Sequence, residues 1–88
     1  MYALGFVETC GYVPAFAVAD TMAKAANVEI VKKVWVGAGL VTIVARGEVG
    51  AIRMAVDAGA AAANQMGALE GCLTIARPNQ DLIDMIGE

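Results

Sequence analysis

Two runs dense in β-branched residues, Val28 to Val36 and Leu40 to Ala45, are separated by only Gly37-Ala38-Gly39. A parallel crossover takes a dozen or more residues, so a three-residue connection makes the two runs antiparallel neighbours. The pair is a β-hairpin, and its glycines supply the backbone freedom that so tight a loop needs. The rest of the chain must be arranged around that hairpin.

Upstream, Ala3 to Thr9 alternates loosely and stops at Gly11, which predicts a first strand with Leu4, Phe6 or Val7 facing a core. Pro14 then sits where a first helical turn tolerates it. From Pro14 to Ala26, Ala15, Val18, Ala19, Met22, Ala25 and Ala26 form one apolar stripe, with Asn27 as a left-handed stop. Downstream, Glu48 suits the positive end of a helix over Ala51 to Met66, whose stripe is Ile52, Ala55, Val56, Gly59, Ala62, Ala63 and Met66. The consecutive alanines Ala60 to Ala63 make this a thin helix, able to pack closely on a sheet or a neighbouring subunit. A fourth strand over Gly71 to Ala76 stops before Pro78, and a short helix from about Gln80 to Ile86 follows. The order is β-α-β-β-α-β plus a short C-terminal helix: an α+β, ferredoxin-like split βαβ arrangement, with an antiparallel sheet and both main helices on one face.

The chain has 88 residues, so one domain over 1–88 is expected. A domain of this size buries only about 62 to 65% of the surface its unfolded chain exposes. With 59% hydrophobic residues and 17% charged ones, an apolar excess remains outside and favours self-association. A membrane span does not account for it, because the longest uncharged runs, Val34 to Ala45 and Ala58 to Leu69, are 12 residues each, against about 20 for a spanning helix. No basic stretch leads into an apolar core at the N-terminus, so a cytosolic protein is expected. A net charge of −3 argues against nucleic acid or anionic lipid as a partner.

Catalysis has little to work with. The chain has no His and no Ser, so a Ser-His constellation cannot be built and a Cys nucleophile lacks its usual base. The nine carboxylates are scattered among glycines, lysines and chain ends, as solvated surface charges are. Cys10 and Cys72 form no C-x-x-C pair, so neither a zinc site nor any other metal or cofactor is expected. They read as small buried hydrophobes, although neighbouring first and fourth strands leave a disulfide open. Gly37-x-Gly39 is not a dinucleotide fingerprint, since a strand follows it rather than a helix. An ordinary hairpin turn accounts for it, and so does a place where backbone approaches backbone or solute.

Five strings occur in order at natural spacing: Ala3-Leu4-Gly5-Phe6-Val7-Glu8-Thr9, Lys24-Ala25-Ala26-Asn27-Val28, Val36-Gly37-Ala38-Gly39-Leu40-Val41-Thr42, Arg46-Gly47-Glu48-Val49-Gly50-Ala51 and Asp57-Ala58-Gly59-Ala60-Ala61-Ala62. Together they resemble the bacterial microcompartment shell proteins of the single-domain, hexamer-forming type. The resemblance implies a non-enzymatic structural tile of a shell in the cytoplasm: flat hexamers that pack edge to edge around metabolic enzymes, each with a narrow central pore. Its partners would be copies of itself, other shell proteins and encapsulated enzymes.

The resemblance also implies site roles. Gly37-Ala38-Gly39 matches the pore loop, six copies of which surround the axis, so that the side chain at Ala38 sets the bore. Many relatives of the diol-metabolising kind carry Ser there, and the methyl of Ala38 removes a hydrogen-bonding group from the constriction. Trp35 is either a rim residue at the pore mouth or an aromatic half buried on the sheet. Lys24 matches an edge lysine at the border between hexamers, and Asn27 and Arg77 match other edge positions. Leu40, standing where carbon-fixing relatives often have a cation, favours a catabolic compartment. The same frame also serves small oligomeric ligand-binding or sensor modules, which would bind one metabolite saturably instead of forming arrays.

Overall fold

The computed structural model describes residues 2–87. Strand β1 (Ala3–Cys10) leads into helix α1 (Tyr12–Ala25), strands β2 (Val28–Gly37) and β3 (Leu40–Gly47), helix α2 (Val49–Gln65), strand β4 (Leu69–Ile75) and helix α3 (Gln80–Met85). The element order is the expected one, with α2 starting two residues early and β4 shifted toward the N-terminus. The sheet runs β2-β3-β1-β4, with every neighbouring pair antiparallel. β3 therefore fills the gap between β1 and β2, which is what a split βαβ unit requires.

The register separates the two sheet faces. Ala3, Gly5, Val7 and Thr9 of β1 lie opposite Gly47, Ala45, Ile43 and Val41 of β3, and this face carries the helices. Against it α1 packs Ala15, Val18 and Met22, and α2 packs Ile52, Ala55, Val56 and Ala63. These positions recur every three or four residues, so each helix turns one stripe inward. Met66, expected in the stripe, is exposed, because α2 ends at Gln65 and Met66 belongs to its C-cap. On the other face Leu4 and Val44 are also buried, so the middle strands are apolar on both sides.

Two glycines let the layers approach. A Cβ at Gly59 would lie 2.7 Å from Met22 Cγ, and one at Gly5 would lie 2.6 Å from Val56 Cγ2. The first sets the spacing between α1 and α2, the second that between α2 and the sheet.

Local chemistry explains the helix starts. Glu48 caps α2, its Oε1 accepting from the amides of Gly50 at 2.9 Å and Ala51 at 3.3 Å, which satisfies two otherwise unpaired N–H groups. Asn79 does the same for α3 by accepting from the Leu82 amide. The end of α1 corrects an expectation: Asn27 is not left-handed, since Ala38 is the one non-glycine with positive φ among the described residues. The chain leaves α1 through Ala26 in an extended conformation (φ −158°), with the Val28 amide donating to the Ala26 carbonyl. Entry directly into β2 leaves no room for a left-handed cap.

The cysteines do not pair. β1 and β4 are neighbours as expected, but Cys72 sits in mid-strand opposite Val7, three residues from Cys10 on β1. That offset is about 10 Å at strand rise, and an odd number of residues puts the side chains on opposite faces. Both thiols are free and exposed, so the expectation of buried cysteines also fails, β4 being an edge strand and Cys10 the end of β1.

The packing yields a prediction. Gly59→Val would drive a branched side chain into Met22 and should lower stability by about 1–3 kcal/mol, whereas Ala61→Val, on an exposed turn of the same helix, should cost less than 1 kcal/mol. Urea unfolding of the two variants followed by circular dichroism measures the difference.

Candidate functional site

The turn between β2 and β3 is the most constrained backbone in the molecule. Gly37 pairs with Leu40, so Ala38 and Gly39 form a two-residue hairpin turn. Their φ angles are 55° and 79°, and that of Gly37 is 91°. Positive φ at both central residues is the pattern of a type I′ turn, whose twist matches that of the strands it joins. Ala38 bears the cost, because a Cβ in the left-handed region is unfavourable by about 1–2 kcal/mol. Among the described residues, nothing beyond the chain neighbours lies within 4 Å of a Cβ built at Gly37 or Gly39. Within one chain, then, these glycines answer to backbone conformation and not to crowding.

The turn is also tethered. The Gly11 amide donates to the Gly39 carbonyl at 2.6 Å, joining the tip to the start of α1. The hydroxyl of buried Thr9 in turn donates to the Gly11 carbonyl at 3.2 Å. Strand end, helix start and hairpin tip are thereby held as one unit, with the Ala38 methyl exposed at its apex.

Trp35 lies on the helix-bearing face, paired with Val41, and its indole packs against Tyr12 at 5.9 Å between ring centroids. Tyr12 stacks on Phe16 at 6.3 Å, and Lys33 Nζ lies 4.0 Å over the Phe16 ring. Trp35 is 63% exposed in the single chain. Tyr12 and Phe16 were not singled out by the sequence reading, although their i,i+4 spacing at the start of α1 was a usable signal. With Val13 they form an exposed apolar patch beside the hairpin tip.

Lys24, Asn27 and Arg77 are collected at the opposite end of the sheet. Val28, Gly47 and Ala3 pair across that end. Asn27 directly precedes Val28, Lys24 occupies the last turn of α1, and Arg77 follows β4 by two residues. All three are exposed. Lys24 Nζ reaches Asp20 Oδ2 at 2.9 Å, an exposed i,i+4 pair worth about 0.3–0.5 kcal/mol. So weak a hold leaves the ammonium free to exchange partners. Arg77 borders a cavity of about 370 Å³ that it shares with Ala3, Glu48, Val49, Arg53 and Ala76.

The strain at Ala38 can be measured. Ala38→Gly should raise unfolding stability by about 1 kcal/mol and Gly39→Val should lower it by at least about as much, since only glycine occupies left-handed backbone without penalty. Denaturant midpoints of the two variants against the parent check the sign.

The BMC domain family model matches residues 3–78, from the start of β1 to just past β4. The chain is 49% identical over 80 residues to the bacterial microcompartment shell protein PduA of Citrobacter freundii, covering 91% of this chain and 86% of that protein. It is 48% identical over 81 residues to the carboxysome shell protein CsoS1A of Hydrogenovibrio crunogenus, covering 91% of this chain and 84% of the other. Relatives from the two kinds of compartment are thus equally similar. Among solved structures, a microcompartment protein from Desulfitobacterium hafniense DCB superposes with a TM-score of 0.86 at 29% identity over 93% of this chain. The chain spans 47% of that protein's length. A match across all four strands and both main helices, with close to half the residues identical in two relatives, places this chain in the BMC domain family.

Proposed function

We propose that this protein is a structural shell protein of a bacterial microcompartment, that six copies close into a ring, and that rings tile edge to edge with the hairpin tip at the hole. The observation that carries the shell reading is the near-complete match to shell proteins of two compartment types. The ring and the tiling rest on how the candidate residues are distributed. Gly37-Ala38-Gly39 lies at one end of the sheet, while Lys24, Asn27 and Arg77 lie at the other. A wedge-shaped subunit needs that separation, with an inner point toward an axis and an outer border toward neighbouring rings.

In such a ring the open space around Gly37 and Gly39 is where symmetry-related chains come together. The hole is framed by main-chain groups and by the Ala38 methyl, with no hydroxyl or charge at the tip, and small metabolites pass through it. Trp35, beside the tip, stands at the mouth and packs on Tyr12 of its own chain. At the border, a contact of about 1 kcal/mol from Lys24 is repeated on six edges, so roughly 6 kcal/mol per tile hangs on one side-chain type. Asn27 and Arg77 flank it, the guanidinium reaching toward the adjoining ring. The chain acts as a wall element with no catalytic group, alongside other shell proteins and the enclosed enzymes. Its match to shell proteins favours this over a metabolite sensor on the same frame.

Three measurements test the reading. Sedimentation velocity of dilute protein should show a species six times the 9.0 kDa chain mass. A monomer at every loading would overturn the ring. Lys24→Asp should keep that species and lose the sheets or tubes seen by negative-stain microscopy of the parent; a monomeric variant would place Lys24 inside the ring instead. Six chains at −3 each carry 6 × (−3) = −18, so array yield should rise from low to moderate ionic strength as repulsion is screened, and turbidity against salt concentration follows it.

A further inference from the structure

The cavity beside Arg77 has the chemistry of an anion site. It is an open depression lined by the start of β1 at Ala3, the stretch after β4 at Ala76, and the first residues of α2, Glu48 and Val49. Two arginines, Arg53 and Arg77, are among its lining residues. Arg53 occupies the fifth position of α2, turned away from the core, and both arginines are exposed. Neither has an ion-pair or hydrogen-bond partner among the described residues. The other arginine, Arg46, is by contrast bonded to Glu29 at 2.9 Å.

The one opposing charge in the cavity is Glu48. Its carboxylate is turned onto the amides of Gly50 and Ala51, so its oxygen serves the helix end and not an arginine. The lining therefore carries two positive charges against one negative, on a chain whose net charge is −3. Guanidiniums present planar forks of donors that match phosphate oxygens two at a time. The volume, about 370 Å³, lies in the range of small-molecule sites and exceeds what a single oxyanion fills. Ala3, Val49 and Ala76 give the remainder an apolar surface suited to a short carbon body.

The geometry points to this cavity as a binding site for a small phosphate monoester, with Arg53 and Arg77 gripping the phosphate and Ala3, Val49 and Ala76 taking the carbon body. It is remote from the hairpin tip, at the far end of the sheet, and its lining comes from one chain; in an array the Arg77 side chain serves either the adjoining ring or the phosphate, so the site belongs to dispersed protein. Free inorganic phosphate shares the charged half of the recognition and lacks the apolar half.

Isothermal titration on dispersed protein, at concentrations below those giving arrays, provides the test. Glycerol phosphate should bind saturably, more tightly than inorganic phosphate, while sodium chloride at matched ionic strength gives no saturable heat. Arg53→Gln and Arg77→Gln should each weaken the glycerol phosphate affinity about tenfold, as loss of one charge-assisted contact does. Lys33→Gln, which removes an equal charge elsewhere, should leave it unchanged. Equal heats from chloride, equal loss in Lys33→Gln, or undiminished binding in both arginine variants would overturn the site. Inorganic phosphate binding as tightly as the ester would overturn the role of the apolar walls. Since no step requires assembly, failure of the shell reading and failure of this site are separate results.

Discussion

The close approach of α2 to both α1 and the sheet, permitted by hydrogen atoms where other residues have side chains, is the constraint on which the rest depends. Gly59 admits Met22, Gly5 admits Val56, and alanines fill the neighbouring positions. The molecule is consequently thin, 33 × 26 × 15 Å. So thin a body encloses few large side chains, and hydrophobic residues that a thicker domain would bury stay outside. Tyr12, Phe16, Trp35 and Leu73 are all more than 40% exposed. They lie at the hairpin end and on the β4 edge, exposed apolar surface of the kind that marks interaction sites.

Strain and order meet at the hairpin tip. Ala38 sits in backbone space that disfavours any Cβ, and it is retained there by the type I′ turn and by the tether from Gly11 to Gly39. An apolar residue at an exposed, strained apex has little to do for the isolated chain. The tether through Thr9 and Gly11 gives the tip a fixed shape.

The opposite end of the sheet relies on weaker forces. Lys24 with Asp20 is a surface pair, and Arg53 on α2 and Arg77 after β4 have no partner among the described residues. Groups so lightly held can be turned outward at little cost. Constrained backbone at one end and lightly held surface charge at the other distinguish the two ends of the sheet.

Much of the fold was legible in the residues. The hairpin followed from two β-branched runs three residues apart, both main helices from stripes at helical spacing, and the fit of Glu48 to the positive end of α2 from its place before it, because each depends on neighbours close along the chain. The family resemblance rested on five short strings, and it implied a pore-loop role for Gly37-Ala38-Gly39 and border roles for Lys24, Asn27 and Arg77. Registers and faces were beyond such reading. That Cys72 lies opposite Val7 and not Cys10, that Asn27 is bypassed by an extended Ala26, and that Trp35 meets Tyr12 are consequences of how strands from distant parts of the chain align, and no local spacing encodes them. The same holds for the cavity uniting Ala3, Arg53 and Arg77, three residues from separate elements. The sequence by itself determined which segments are strands, helices and turns, since backbone preference and periodicity are local properties; only the tertiary structure decided which side chains share a face, because that is fixed by packing across the sheet.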